Sequence, residues 1–156
     1  MNDANATRSL ELELKASEDR FHKVFDLSPN LIAISTIEDG RHYAVNAAWL
    51  KAFGYTLDEV IGKTAQELAV WPTREDRKQF IEAFQKSHGV SDYQAVLLTK
   101  SGEPLTFLIS GEEVEFDHEP RLMLVFNDIT ARVKAEGKLQ ATLEELERQV
   151  GDRTQE

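Results

Sequence analysis

Five carboxylates lie close together in the last third of the chain, where paired acids could act as a general acid and a general base. They are Glu112, Glu113, Glu115, Asp117 and Glu119. Such chemistry needs one member of a pair to be desolvated, so that its pKa is shifted. No serine or cysteine triad, phosphate-binding loop or HExxH sequence accompanies the cluster. A solvated strand end explains it better, and we expect the chain to have no catalysis of its own.

The four histidines are the next residues able to do chemistry, as axial ligands of haem. We expect His22 and His42 to be partly exposed and His118 to lie in a turn. His88 ends the longest central helix, where it can equally cap backbone carbonyls. Haem is therefore disfavoured, with His88 as a weak candidate ligand. The absence of cysteine excludes a disulfide framework, a thiolate nucleophile and a cysteine metal site, and we expect no metal site.

A third candidate site is an apolar pocket between a sheet and its covering helices. The residues that would line it are Ile32, Ile34, Val45, Leu50, Phe53, Leu68, Phe80, Phe84, Phe107 and Ile109, with Asn46 as the main polar group. A plain packed core accounts for the same residues, and it is the slightly favoured interpretation. A bound ligand is expected to be partly apolar or aromatic, since Arg74 and Arg77 are predicted to face water.

Composition limits the classes of protein to which the chain can belong. The net charge of -10 and the scattering of 18 basic among 28 acidic residues argue against nucleic acid binding. With 41% hydrophobic and 29% charged residues, the 156 residues suit one soluble domain with helical flanks. No stretch approaches the roughly 18 apolar residues of a membrane span, and the first residues lack the apolar core of a secretion signal. We therefore expect a cytoplasmic protein with no membrane segment.

The elements that must position these residues begin with a helix and a hairpin. Apolar residues at helical spacing predict an amphipathic helix from about Ser9 to Leu27. Residues 31–35 and 41–46 read as two antiparallel strands, joined by a turn at Asp39-Gly40. These strands open the core of the domain.

Short helices fill the middle of the chain, each with its own start signal. Asn46 is a predicted N-cap, and Gly54 ends the helix that it starts. Thr56 and Thr64 each begin a capping box, so two separate helical turns are expected there. Thr73 starts a longer helix. Three strands then complete the order, which is ββ, helices, βββ.

The faces of the last strands carry two further expectations. Phe107 and Ile109 share one face, but Val114 and Phe116 have the opposite parity, which predicts a bulge near Gly111. Residues on both sides of the sheet are apolar, so neither face can be left to water. The central helices can cover one face. The leading helix or a second copy of the chain must cover the other.

Four segments in order resemble one family. They are SEDRFHKVFDLSPNLIAIS, HYAVNAAWLKAFGYTLDEVIGKTAQEL, KSGEP and FNDITARVKAEGKL, which span about Ser17 to Leu139. The chain is similar to the PAS domains, with their trailing PAC segment, of bacterial sensor histidine kinases and cyclic-di-GMP enzymes. The resemblance implies an α+β fold in which short helices lie on one face of a five-stranded antiparallel sheet. Amphipathic helices would flank this PAS fold at both ends.

The resemblance also implies roles for particular residues. Asn46 matches the asparagine that closes the second strand, and Asp128, Ile129 and Thr130 match the DIT triplet that links the last strand to an output helix. Pockets in this family hold haem, flavins, small organic acids or nothing. Light sensing through a cysteine adduct or a thioester-linked chromophore is excluded because the chain has no cysteine. A haem- or flavin-bearing redox or gas sensor is the alternative to a module without a cofactor.

The tail contains a repeat typical of a two-stranded coiled coil. Leu139, Leu143, Leu146 and Val150 follow one another at spacings of 4, 3 and 4. A solvated amphipathic helix is the simpler alternative, since little more than two heptads is short for an independent coiled coil. We expect a homodimer that signals through this helix to a downstream kinase or cyclic-di-GMP enzyme. The domains would be an N-terminal helix at 1–20, the PAS domain at 21–130 and the coiled-coil helix at 131–156.

Overall fold

The fold is an antiparallel sheet with short helices on one face and a long helix at each end of the chain. The structure, a computed structural model, describes residues 2–154. Met1, Gln155 and Glu156, which belong to the predicted terminal segments, lie outside the described residues. The elements are α1 (Asn2–Leu27), β1 (Leu31–Ser35), β2 (His42–Val45), α2 (Ala47–Phe53), α3 (Leu57–Val60), α4 (Arg74–Ser87), β3 (Gly89–Leu98), β4 (Pro104–Phe116), β5 (Glu119–Asp128) and α5 (Thr130–Thr154).

The five strands form one sheet in the order β2-β1-β5-β4-β3, and all neighbours are antiparallel. The first and last strands of the sequence pattern therefore meet in the middle, where β1 pairs with β5 from Leu31↔Phe126 to Ser35↔Leu122. The predicted ββ, helices, βββ order and the α+β fold class are both confirmed.

The short helices begin and end where local chemistry predicts. Asn46 accepts a hydrogen bond from the backbone N of Trp49 as the N-cap of α2, and Gly54 ends that helix at φ 81°. Thr73 caps α4 in the same way by accepting from Asp76 N. Thr64 also accepts from a backbone N, but the residues after it form turns and no helix. One of the two predicted helical turns is therefore an irregular segment.

The bulge predicted near Gly111 lies on the neighbouring strand. β4 pairs with β5 without interruption from Phe107 to Phe116. The irregularity falls in β3, where Val90 pairs with Gly111 and Tyr93 with Ile109. Val114 and Phe116 thus keep the alternation of the strand and occupy the face opposite Phe107. The change from odd-numbered to even-numbered apolar residues, which suggested a bulge, arises because β4 carries apolar residues on both of its faces.

The face away from the short helices is partly covered by the last turns of α1. Phe21 stacks on Phe25 with 5.4 Å between ring centroids, and it packs against Phe116 at 5.7 Å. Phe25 is buried. Toward the edge of the sheet, Val96 on β3 is 44% exposed. The leading helix thus covers one part of this outer face. It is one of the two elements expected to do so, the other being a second copy of the chain.

The two long helices extend beyond the sheet. α1 begins at Asn2, earlier than predicted, and continues unbroken to Leu27 across the predicted 20/21 boundary. In α5, every side chain from Lys134 to Gly151 is exposed. Within residues 2–154, no helix combines the length and the apolar content that crossing a membrane would require.

Candidate functional site

The interior between the sheet and the short helices is filled mainly by aromatic rings. Trp49 lies 4.4 Å from Phe53, which lies 5.4 Å from Phe107, measured between ring centroids. Phe126 on β5 meets Phe107 edge to face at 5.9 Å. Trp49, Phe53 and Phe107 are at most 1% exposed. Most of the space that could hold a guest is therefore occupied by the protein's own side chains.

One small interior cavity of about 40 Å³ remains beside these rings. It is bounded by β1, β2, α2, α4, β3 and β5, and most of its walls are apolar. Three polar side chains interrupt the apolar wall: Ser35 from β1, His42 from β2 and Arg77 from α4. Trp71 closes one side and packs on Phe80 with 5.3 Å between ring centroids.

The predicted pocket residues divide into three groups. Phe80 lines the cavity. The others on the inner face are packed in the core: Val45, Leu50, Phe53, Leu68, Phe84, Phe107 and Ile109. Ile32 and Ile34 lie on the opposite face of β1, because their neighbours Ala33 and Ser35 line the cavity and side chains alternate along a strand. They do not line this cavity, although Ile34 is buried at 2% exposure. Five consecutive residues without charge gave no indication of which face turns toward the short helices.

Asn46 was predicted to orient a guest, but its side chain is used to join backbone segments. Its Oδ1 accepts from Ile32 N at 3.0 Å and from Trp49 N at 3.1 Å. Its Nδ2 donates to Phe25 O at 3.0 Å and to Asn30 O at 2.8 Å. The two donors and two acceptor positions of an amide are thereby satisfied. Asn46 therefore connects α1, β1 and α2 and has no capacity left for a ligand.

His42 was expected to be partly exposed, and the structure instead buries it beside the cavity. Its Nδ1 lies 2.8 Å from the carbonyl oxygen of Lys63, and its ring packs on Trp49. Because a carbonyl only accepts, Nδ1 carries the proton and Nε2 is left as an acceptor. Burial lowers the pKa of His42 below 6.5, and the charge of Arg77 lowers that pKa further. The covering segment around Lys63 is distant in sequence, so no local signal announced this burial.

Arg77 was predicted to face water, and the structure half-buries its guanidinium at the cavity wall. It lies over Gly40, where a Cβ atom would come within 3.0 Å of Nη2. Desolvation lowers the pKa of Arg77, and the Asp39 carboxylate opposes that shift. Arg74, the other arginine predicted to face water, is exposed. The feature of the sequence connected with the burial of Arg77 is Gly40, because the absence of a side chain there makes room for the guanidinium.

Neither haem nor a flavin fits this interior. Sites for drug-sized ligands and cofactors are on the order of 300–1,000 Å³, many times the cavity described above. His88 ends α4 in the left-handed conformation and is exposed on an open groove, while His22 and His118 are exposed as well. The cavity in this structure is therefore too small for a haem or a flavin. Among the side chains that the structure describes, those of residues 3–151, no group of three or more potential metal ligands converges.

The acidic cluster does not form an acid-base site. Its five members, Glu112, Glu113, Glu115, Asp117 and Glu119, are all exposed. Asp117 accepts a hydrogen bond from the Tyr43 hydroxyl, which ties the β4–β5 turn to β2. Exposed carboxylates lack the desolvation that catalytic acids require.

The junction between β5 and α5 is held by the DIT triplet. Asp128 Oδ1 accepts from the backbone N of Thr130 at 2.9 Å and from its Oγ1 at 2.6 Å. Thr130 Oγ1 in turn accepts from Thr106 N on β4 at 2.8 Å, and Ile129 N donates to Thr106 O at 2.9 Å. The first residue of α5 is therefore bonded to two strands of the sheet.

Comparison with known proteins agrees with this architecture. A family model described as PAS domain matches residues 29–131. The methyl sulfide methyltransferase-associated sensor of Methanosarcina acetivorans is 26% identical over 126 residues, which are 79% of this chain and 12% of that protein. This chain thus spans a small part of the length of that relative.

Solved structures show the same fold at low identity. The PAS domain of an HTR-like protein from Haloarcula marismortui is 21% identical, with a TM-score of 0.63, and covers 78% of this chain and 99% of its own. An RNA-binding light-oxygen-voltage receptor is 14% identical, with a TM-score of 0.65, over 81% of this chain and 37% of its own. A PAS domain from a two-component sensor histidine kinase is 16% identical, with a TM-score of 0.57. The match covers 76% of this chain and 97% of that domain. From the family match and the shared fold together, the chain belongs to the PAS domain family.

Proposed function

We propose that this chain is a sensory PAS module that forms a parallel homodimer and relays a change in its sheet, through Asp128–Thr130 and α5, to a downstream output domain. The observation that carries the proposal is the bonding of Thr130, the first residue of α5, to Thr106 on β4. A shift of β4 or β5 must move the start of the helix or break this bond. The junction can therefore convert a change in the core into a change in helix direction.

The exposed apolar stripe of α5 supports dimerisation through that helix. Its members Leu139, Leu143, Leu146 and Val150 are 47–61% exposed. Their spacing places them at alternating d and a positions of a heptad. The positions that flank such a seam are occupied by Gln140, Thr142, Glu147 and Gln149. A parallel pair would bring no like charges together at these positions, so nothing there opposes association.

The curated relative supports a role within a longer signalling protein. It is named a sensor, and the matched region is 12% of its length. One solved neighbour is a PAS domain from a two-component sensor histidine kinase. A kinase or a cyclic-di-GMP enzyme after α5 is the output that we propose. A haem- or flavin-bearing sensor is the disfavoured alternative, because the interior cavity of about 40 Å³ is much smaller than either group needs.

Sedimentation velocity on the whole chain tests the dimer. We expect a dimer at micromolar concentration. The double variant Leu143→Ala/Leu146→Ala should raise its dissociation constant at least tenfold, because each subunit loses two leucines that the dimer would bury. The matched control is Glu145→Ala/Arg148→Ala, which removes an exposed ion pair from the other side of the helix. A monomeric parent chain, or a dimer equally stable in both double variants, would contradict the proposal.

A further inference from the structure

Three polar groups face the interior cavity without using their hydrogen-bonding capacity. Ser35 is 5% exposed and His42 is 7% exposed, yet the hydrogen bonds among residues 2–154 do not engage Ser35 Oγ or His42 Nε2. The Arg77 guanidinium likewise makes neither a hydrogen bond nor an ion pair within those residues. Among the side chains that the structure describes, every fully enclosed nitrogen or oxygen has a hydrogen-bond partner, so these three groups are open to the cavity or its mouth. They therefore offer unused hydrogen-bonding capacity to a polar species in the cavity.

The charge at the cavity favours an anion. The carboxylate whose charge acts on Arg77 is that of Asp39, which is already bonded to Thr36 at 2.5 Å and paired with Arg41 at 3.3 Å. The cation at the cavity wall is therefore only partly compensated. A half-buried guanidinium gains from a planar oxyanion that accepts two of its N–H groups.

The other two groups narrow the choice of anion. The Ser35 hydroxyl can donate to an anionic oxygen, but His42 Nε2 is an acceptor, because Nδ1 donates to the Lys63 carbonyl. An anion that satisfies all three must offer acceptor oxygens to Arg77 and Ser35 and one hydroxyl to His42 Nε2. A formate, acetate or nitrate ion would direct a lone pair at Nε2. The cavity of about 40 Å³ has room for about three water molecules, and hence for only a few heavy atoms.

We propose that the interior cavity binds a small planar oxyanion with one protonated oxygen, of which hydrogencarbonate is the simplest. Two of its oxygens accept from Arg77, one also accepts from Ser35, and its hydroxyl donates to His42 Nε2. The inference rests on the proposed sensory function and names the ligand class for it. An anion site accounts for the polar side chains in the cavity wall, which core packing alone does not explain.

A route for the anion lies between α4 and the segment before it. Trp71 and Arg77 line both the interior cavity and a surface cleft of about 240 Å³. The two side chains therefore separate the cleft from the interior. A rotamer change of either one would connect the two spaces, and Arg77 would accompany the anion inward. Arg74 also lines this cleft, which adds a second positive charge at its mouth.

Thermal unfolding at pH 8 in sealed cells, at constant ionic strength with sodium chloride, tests the proposal on the whole chain. Sodium hydrogencarbonate up to 50 mM is expected to raise the unfolding midpoint along a saturable binding curve. Sodium nitrate and sodium formate should bind at least tenfold more weakly, since neither can donate to His42. Equal shifts with all three salts would overturn the assignment of the hydroxyl. No shift with hydrogencarbonate would mean that water alone fills the cavity and would overturn the proposal.

Variants locate the binding site. Arg77→Gln and Ser35→Ala should each weaken hydrogencarbonate binding about tenfold or more, because each removes a buried donor to the anion. Lys78→Gln, which removes a charge from an exposed position of the same helix, should bind like the parent chain. Arg77→Lys keeps the charge but loses the planar fork, so it tests the site if Arg77→Gln fails to fold. Binding undiminished in a folded Arg77 variant would place the anion elsewhere and overturn the proposal.

The same samples separate this inference from the proposed function. Sedimentation of Arg77→Gln should still give a dimer, since Arg77 lies on α4 and the seam lies on α5. Lost anion binding in an intact dimer is the expected result. An intact dimer that never binds hydrogencarbonate contradicts only the ligand assignment. A monomer that binds hydrogencarbonate contradicts only the proposed relay through a dimer.

Discussion

The Asn46 side chain holds the last turn of α1 against the start of β1, through a 3.0 Å hydrogen bond from Nδ2 to the Phe25 carbonyl. The same side chain caps α2. The leading helix is therefore fastened to the domain by a residue whose four hydrogen bonds all go to backbone groups. Any change that moves β1 relative to α2 must also act on α1.

Replacing Asn46 should be among the most damaging single changes to stability. Asn46→Ala leaves two backbone N–H groups and two carbonyls without their partner, which we expect to cost about 3 kcal/mol in the free energy of unfolding. Urea unfolding measures this loss. Asn30→Ala is the control, because Asn30 takes part through its backbone carbonyl, and its change should stay within about 0.5 kcal/mol. Similar losses in the two variants would refute the role given to the Asn46 amide.

Gly111 is predicted to tolerate no side chain. A Cβ atom there would lie 2.4 Å from Leu124 Cδ2 and 3.2 Å from the Met123 carbonyl oxygen. Gly111→Ala should therefore destabilise the protein by about 1–2 kcal/mol through overpacking. Gly137→Ala on α5 meets no atom within 4 Å and should instead stabilise its helix by about 0.5–1 kcal/mol. Thermal unfolding of the two variants gives the sign of each effect, and stabilisation by Gly111→Ala would contradict the packing described for β4.

Thr130→Val tests the bond between the sheet and α5. The variant keeps the shape of the side chain but removes the acceptor of Thr106 N, at a cost of about 1 kcal/mol or more. Hydrogen exchange at the Thr106 amide should accelerate markedly. Thr142→Val, which removes an exposed hydroxyl bonded to Lys138 O, is the control and should leave that amide unchanged. Unaltered exchange at Thr106 in Thr130→Val would show that the bond does not hold the junction.

Burial of His42 predicts a loss of stability in mild acid. The folded-state pKa is lowered below the ordinary value of 6.5, so the unfolded chain binds the proton first as the pH falls. Stability is fully present above pH 6.5 and declines below it. Between pH 7.5 and 5.5 the loss should be about 1 kcal/mol greater in the parent chain than in His42→Gln, measured by urea unfolding. The opposite sign, a parent chain that gains stability in acid relative to the variant, would exclude a buried neutral histidine.

The features that sequence predicted well are those decided by local chemistry. Asn46, Gly54 and Thr73 act as caps because of the side-chain oxygen or the freedom at positive φ that each provides within its own turn. The alternation of Phe107 and Ile109 on β4 likewise showed the inner face of that strand. Such signals extend over only a few residues, so a single sequence is enough to read them.

The features that were missed depend on residues far apart in the chain. Arg77 is half-buried because Gly40 leaves space for it, and His42 is covered by the segment around Lys63. In LIAIS, either face of the strand could have turned inward. Ala33 and Ser35 are the residues that face the cavity, beside the rings of Trp49 and Phe126. Such three-dimensional complementarity has no periodic pattern in the sequence.

Single-cysteine cross-linking along α5 shows whether two chains pair in parallel through this helix, because the chain has no cysteine of its own to interfere. Each position from Leu139 to Val150 would be changed to cysteine in turn, and the oxidised disulfide-linked dimer measured. A parallel seam brings equivalent residues of two chains within disulfide range only at the a and d positions. Cross-linking should reach maxima at Leu139→Cys, Leu143→Cys, Leu146→Cys and Val150→Cys. Uniform cross-linking, or maxima on the side of Glu144 and Arg148, would contradict relay through this helix.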